Sequence, residues 1–184
     1  HTIVIDTGVG NGKPRGAARM NRLNNQLLPW LEAAGAGPAD VTHVVQTHLH
    51  SDHVGWNTVE QDGRWVPTFP KARYLMPKVD YDFYTDRLAK GADPLIDQSF
   101  ADSVTPLVEA GLVDFFGETA TDLVDGILLP EPVPGHTPGM TAFRIRSGGE
   151  EGLFSADVFH SPMQIAEPSL NTSYCILPDV ARVT

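Results

Sequence analysis

Three histidines and an aspartate lie within six residues of this sequence, in the run His48-Leu49-His50-Ser51-Asp52-His53. Neutral imidazole is the commonest metal ligand near neutral pH, and a carboxylate adds the negative charge that bound dications need. A strand that ends in a tight loop can turn His48 and His50 toward one point, and Asp52 and His53 toward a second point close by. Since a lone histidine would more often be an ordinary core or surface residue, it is the spacing of the whole run that predicts a metal centre.

Two downstream segments supply further metal donors. The turn Gly135-His136-Thr137-Pro138-Gly139 presents His136, and Ser155-Ala156-Asp157 presents Asp157 at the end of a predicted buried strand over 153–156. Each segment by itself is weak evidence for a metal site, because a histidine in a turn is usually on the surface and an aspartate after a strand usually caps a turn. Together with the first run they give four histidines and two aspartates, which is enough for most of a two-metal site.

The elements that must position these side chains follow from the apolar pattern. Ile3-Val4-Ile5 is a predicted strand that ends at Asp6-Thr7-Gly8, and residues 41–47 form a second strand that delivers His48. The spacing of Met20 to Leu31 predicts a helix that is divided at Pro29. A hairpin is predicted around Asp62-Gly63. Helices are predicted over 78–90 and 94–110, and further strands over 72–76, 111–115, 127–133, 141–146 and 153–156. Two groups of strands with helices between them favour sheets covered by helices rather than a doubly wound α/β fold.

The order His-x-His-x-Asp-His, Gly-His-Thr-Pro-Gly and Ala-Asp, after the opening Ile-Asp-Thr-Gly, resembles the metallo-β-lactamase superfamily. The resemblance runs from Asp6 to about Gln164. Thr47-His48 with Val54-Gly55-Trp56-Asn57 is most similar to the branch of bacterial lactonases and methyl parathion hydrolase-like enzymes. It implies an α/β fold, the four-layer αβ/βα sandwich, as a single domain over 1–184 with the site along one edge of the sheets.

The resemblance also implies a role for each matching residue. The first zinc ion would be held by His48, His50 and His136. The second would be bound by Asp52 and His53, with Asp157 bridging the two ions. Asp6 would orient the ligand loop through hydrogen bonds. The implied cofactor is Zn²⁺, two ions per complete site, with Fe or Mn as alternative metals.

The sequence departs from the family pattern in two places. Nothing precedes His1, where the family has a β-hairpin, and no histidine follows His160, where the family has a last ligand to the second metal. We therefore expect an incomplete fold, an internal fragment with a complete first-metal triad and an incomplete second site. We expect His160 to lie near the substrate or beside the ligands rather than to bind metal.

The implied reaction is attack of a metal-bridging hydroxide on a lactone, ester or similar small acyl substrate, with Asp52 passing a proton to the leaving group. Hydrolysis of phosphotriesters, thioesters or β-lactams at the same site stays open, since the fold does not settle the substrate. Two alternatives of other classes are a mononuclear iron oxygenase and a non-catalytic fragment. The predicted substrate-facing aromatic residues are Trp56, Phe159, Trp65 and Phe69.

Composition excludes several other classes of protein. A net charge of −10 argues against a nucleic-acid or anionic-membrane partner. No apolar run approaches the roughly 18 residues of a membrane span, so we expect a soluble, cytoplasmic protein.

The single Cys175 excludes an internal disulfide. Residues 7–14 fail as a phosphate loop because Pro14 follows Lys13. Acidic residues over 80–125 are predicted to face solvent on helices. Exposed sheet edges predict a homodimer.

Overall fold

The computed structural model describes residues 1–91 and 94–184, with residues 94–97 described by their backbone. The chain divides into two compact units. The first contains residues 1–76 and 84–114, and the second contains residues 77–83 and 115–184. Each unit holds part of the predicted site.

Strands form three sheets within the described residues. The strands are β1 (Ile3–Ile5), β2 (His43–Val45), β3 (Thr58–Gln61), β4 (Arg64–Pro67), β5 (Arg73–Pro77), β6 (Val113–Phe116), β7 (Leu128–Pro132), β8 (Thr141–Ser147) and β9 (Glu150–Phe154). The sheets have the orders β1-β2-β5-β6, β3-β4 and β7-β8-β9. The helices are α1 (Leu27–Ala33), α2 (Lys78–Ala89), α3 (Pro94–Ser103), α4 (Thr105–Glu109), α5 (Met163–Ala166) and α6 (Pro178–Ala181).

The parallel part of the first sheet brings two predicted site segments to one edge. β1 pairs with β2 so that Ile5 lies opposite Val45, and β2 pairs in the same direction with β5. Because parallel strands end at the same edge of a sheet, the residues that follow β1 and β2 are neighbours. The amide of Asp6 donates to the carbonyl of Val45 at 2.9 Å. The sheet therefore places Asp6 beside the start of the histidine run.

The predicted hairpin is confirmed, with β3 and β4 joined at Asp62-Gly63. Gln61 lies opposite Arg64. Both turn residues have positive φ, 51° for Asp62 and 75° for Gly63. That pair of left-handed residues is what a two-residue hairpin of right-twisted strands requires.

The third sheet corrects one prediction. The last strand is β9 over 150–154 rather than a buried strand over 153–156, and all of its residues are exposed, including Leu153 at 59%. β9 pairs with β8 alone and is therefore an edge strand. A short apolar run in a sequence does not show whether another element packs over the strand. Asp157 therefore lies in a 3-10 turn, Ala156–Val158, and not at a strand end.

The helices differ from the predictions in their bounds and in one buried face. The helix predicted over Met20 to Leu31 is a 3-10 turn at Ala18–Met20 followed by α1. Pro29 lies in the first turn of α1, where its missing N–H costs no hydrogen bond. The acidic residues over 80–125 do not all face solvent as predicted, because Asp80 is fully buried. In the described part of the chain, no helix has both the length and the apolar character needed to cross a bilayer.

Candidate metal centre

Asp6 ties the end of β1 to the histidine loop in the first unit. Its carboxylate accepts from the amide and the hydroxyl of Thr47, each at 2.8 Å, and lies 2.9 Å from Nδ1 of His53. Asp6 adopts φ of 54°, a left-handed conformation that aspartate tolerates better than most residues. One carboxylate thus fixes both ends of the loop, which is the contact expected of a residue that orients ligands.

Three imidazoles of the first unit gather at this edge. His48 is fully buried, and its Nε2 lies 3.1 Å from Nδ1 of His50. The rings of His48 and His53 are 3.9 Å apart between centroids. The loop is tight, with the amide of His53 donating to the carbonyl of His50 at 3.0 Å, and Asp52 lies half-buried within it. The loop therefore brings His50 and His53 close to His48.

A crossing of two loops holds this cluster in place. The amide of Thr7 donates to the carbonyl of His53, and the amide of Gly55 donates to the carbonyl of Gly8, both at 2.6 Å. A Cβ at Gly55 would lie 1.9 Å from the carbonyl of Val9, so only glycine fits. Asn57 accepts from Thr7 at 3.0 Å, which adds a buried side-chain contact beneath the crossing. Sequence reasoning missed this contact because the two residues are fifty positions apart.

The second unit holds its own donor cluster, made by His136, Asp157 and His160. Nε2 of His136 lies 3.5 Å from Oδ2 of Asp157, and Nε2 of His160 lies 3.2 Å from the same oxygen. One ligand atom from each residue lies within 4.8 Å of the other two. These residues line a recess whose walls include Val133 and Met140. The donor set of two imidazoles and a carboxylate suits a divalent transition metal.

A buried aspartate that sequence reasoning missed frames His136. Asp80 accepts from the hydroxyl of Thr137 at 2.8 Å and from the amide of Gly139 at 2.6 Å. A Cβ at Gly139 would lie 2.6 Å from the backbone nitrogen of Asp80, so the loop has to be glycine there. No local pattern links Asp80 with Thr137, because these residues are distant in sequence and Asp80 belongs to an acidic stretch.

The turn that carries Asp157 and His160 is fixed from within. Ala156 has φ of 52°, a strained conformation for a residue with a Cβ. The side-chain oxygen of Gln164 accepts from the amides of His160 at 2.7 Å and of Ser161 at 3.2 Å. Gln164 also donates to the carbonyl of Leu170 at 3.0 Å, so its amide group satisfies three backbone partners. The backbone of His160 is therefore held in one position.

The four predicted substrate-facing aromatic residues differ in their burial. Phe69 is fully buried and Trp56 is 6% exposed, so both belong to the core rather than to an open pocket wall. The ring of Trp65 lies 4.4 Å from the Lys13 ammonium, which it covers. Phe159 is 50% exposed and stays available to a ligand. Contact of these four residues with a substrate stays a prediction from their position in the sequence.

Lys13 is not a phosphate ligand. Its ammonium is completely buried and donates to the hydroxyls of Thr58 and Ser103, each at 2.7 Å. Asp102, which Arg15 contacts through both oxygens, lies in the same buried group. The failure of the phosphate-loop pattern therefore agrees with the structure, where this lysine stabilises the protein interior.

Comparison with known proteins defines the class of protein. Residues 1–180 match the model of the metallo-beta-lactamase superfamily. The chain therefore belongs to this superfamily and has its α/β fold, which confirms the resemblance carried by the three motifs.

Individual relatives narrow the comparison. The chain is 30% identical over 118 residues to the N-acyl homoserine lactonase AttM of Azorhizobium caulinodans, a match that covers 63% of this chain and 40% of that protein. Among solved structures it resembles AidC, a dizinc quorum-quenching lactonase in complex with a product, N-hexanoyl-L-homoserine, with 25% identity and a TM-score of 0.77. It also resembles the hydrolase AbOPH of the beta lactamase superfamily, with 25% identity and a TM-score of 0.75.

The matches cover nearly all of this chain and only part of each relative. The AidC match covers 98% of this chain and 61% of that one, and the AbOPH match covers 98% and 60%. The chain spans less than half the length of the AttM relative. These matches show the fold of this chain. The activity of the whole protein is a proposal.

Proposed function

We propose that this protein is a metal-dependent hydrolase that opens lactones, with N-acyl homoserine lactones as the leading substrate class. The observation that carries the proposal is a cluster of metal-type donors in each unit, the histidine loop in the first and the His136, Asp157 and His160 group in the second. Membership of the superfamily supports hydrolysis, and the relatives named as lactonases support the substrate class.

The proposed metal ligands come from both clusters. We assign His48, His50 and His136 to one Zn²⁺ and Asp52 and His53 to a second, with Asp157 bridging the ions. Fe or Mn could occupy the same donors. The donor chemistry fits, because imidazole nitrogens and carboxylate oxygens are the ligands of hydrolytic zinc sites. The AidC relative is itself described as a dizinc lactonase.

The chain's own residues would orient and deliver the reactants. A bound Zn²⁺ lowers the pKa of its water to about 7 and so supplies a nucleophile at neutral pH. Asp6 accepts from Nδ1 of His53, which leaves Nε2 of that ring for metal. Asp52 would pass a proton to the leaving oxygen of the opened lactone. Val133 and Met140 would give an acyl chain an apolar surface beside His136.

The test measures hydrolysis before and after metal addition. Metal-free protein is assayed against N-acyl homoserine lactones, aryl esters, a phosphotriester, a thioester and a β-lactam, then reassayed with Zn²⁺, Mn²⁺ or Fe²⁺. We expect lactone opening that appears with metal and is lost with chelator. A His43→Gln variant removes a histidine outside both clusters and should hydrolyse as the wild type does. Equal rates with and without metal would refute the proposal.

A second candidate function rests on the donor set of the second unit. Two histidines and one carboxylate are also the ligands of mononuclear iron oxygenases. Elemental analysis of protein purified without added metal separates the two. One iron per chain with oxygen uptake favours the oxygenase, and zinc with lactone opening favours the hydrolase. Substoichiometric metal with no turnover would favour a non-catalytic fragment.

A further inference from the structure

We propose that His160 is a direct metal ligand, and that with His136 and Asp157 it supplies two histidines and one carboxylate from the second unit to the ion that His136 binds. The inference deepens the proposed function and rests on its metal centre. It also revises the expectation that His160 lies beside the ligands without binding metal. The site would take a divalent transition-metal ion, since its donors are two imidazole nitrogens and one carboxylate oxygen.

The distances between the donors match those around a shared cation. Donors at about 2.0–2.1 Å from a tetrahedral zinc ion lie roughly 3.3–3.4 Å from one another. The two histidine nitrogens lie 3.5 and 3.2 Å from the same oxygen of Asp157. A hydrogen bond from nitrogen to oxygen is ordinarily shorter than about 3.2 Å, so the 3.5 Å contact of His136 is too long for one. Sharing of a cation accounts for both distances.

The local backbone supports this arrangement. Asp157 lies in the 3-10 turn Ala156–Val158 and His160 follows that turn, and Nε2 of His160 reaches Oδ2 of Asp157 at 3.2 Å. Gln164 holds the amide of His160 at 2.7 Å, so the ring is presented from a fixed backbone position. Ala156, directly before Asp157, has a positive φ of 52°. Preorganised donors lose less entropy when they bind an ion.

Access from outside is also present. The side chains of Asp157 and His160 are 26% and 28% exposed, whereas that of His136 is 4% exposed. All three residues line the same recess. An ion at the recess therefore meets two partly exposed donors, Asp157 and His160, and the buried His136.

The experiment compares two substitutions that separate ligation from hydrogen bonding. His160→Gln keeps an N–H donor for Asp157, and His160→Phe keeps a ring but no donor. If His160 binds metal, both variants lower Zn²⁺ affinity by about 100-fold or more, beyond the roughly 10- to 100-fold loss for a residue that only orients a ligand. Affinity is measured by competition with a chromophoric chelator, and His43→Gln is the control.

X-ray absorption at the zinc edge gives the decisive count. We expect one zinc-bound imidazole fewer per chain in both variants than in the wild type. An unchanged count, or a His160→Gln variant that binds within about threefold of the wild type, would overturn the inference. Neither readout needs turnover. If the variants lose one zinc-bound imidazole and the wild type opens no lactone, the inference is upheld and the hydrolase proposal is refuted. If the wild type opens lactones and the imidazole count is unchanged in the variants, the hydrolase proposal is upheld and the inference is refuted.

Discussion

Substitution of Asp6 by asparagine tests how the first unit prepares its histidines for metal. Asparagine keeps one oxygen acceptor and tolerates the left-handed backbone at φ of 54°. It replaces the other oxygen with an NH₂ group. In the wild type that oxygen accepts from the hydroxyl of Thr47 and lies 2.9 Å from Nδ1 of His53. The change therefore alters hydrogen bonding with little change in shape.

The expected effects follow from the lost acceptor. A carboxylate only accepts, so the proton of His53 lies on Nδ1 and Nε2 is left for metal. An amide N–H that faces Nδ1 favours the opposite tautomer, so we expect Zn²⁺ affinity to fall by about 10- to 100-fold. Hydrogen bonds to a charged group contribute about 1.5–3 kcal/mol each. Two such contacts are changed at a partly exposed site, so we expect the free energy of unfolding to fall by about 2–3 kcal/mol.

Three measurements check this prediction. Chelator competition gives the Zn²⁺ affinity, urea unfolding of the metal-free protein gives the stability, and ¹⁵N chemical shifts of the imidazole ring give the tautomer of His53. The matched control is Asp62→Asn, because Asp62 has a similar φ of 51° and lies exposed in the turn of the β3–β4 hairpin. A variant Asp6→Asn protein with wild-type affinity and an unchanged tautomer would refute the reasoning.

Three further predictions concern stability. Burial lowers the pKa of Lys13 to about 8, so unfolding takes up a proton above that pH. The free energy of unfolding therefore rises by up to about 1.4 kcal/mol per pH unit between roughly pH 8 and 10. The Lys13→Met variant should show no such rise when its free energy of unfolding is measured by urea titration. Gly55→Ala should lower the free energy of unfolding by about 3 kcal/mol or more, because the added Cβ meets the Val9 carbonyl. The control Gly152→Ala should not lower it, because a Cβ there meets no atom within 4 Å. Equal unfolding midpoints for the two variants would contradict this prediction. Ala156→Gly should raise stability by up to about 1 kcal/mol through relief of a positive φ, and a lower thermal midpoint would argue against strain there.

The contiguous part of the site could be predicted from the sequence, since a run such as His48 to His53 carries its own spacing. The parallel strands that precede Asp6 and His48 could also be predicted, because β-branched runs ending in a turn are local signals. The contact between Asp80 and Thr137 could not, since it joins residues far apart in the chain. The exposure of Leu153 could not either, because burial depends on what packs against a strand and not on its composition.

Anomalous diffraction from zinc-soaked crystals at the zinc edge tests the central proposal most directly. The account predicts two peaks about 3.5–4 Å apart, as in other two-metal sites. One peak should be bound by His48, His50 and His136, with Asp157 between the two. The absence of any ion shared by those three imidazoles, with zinc bound elsewhere or not at all, would contradict the proposed metal centre and with it the hydrolase.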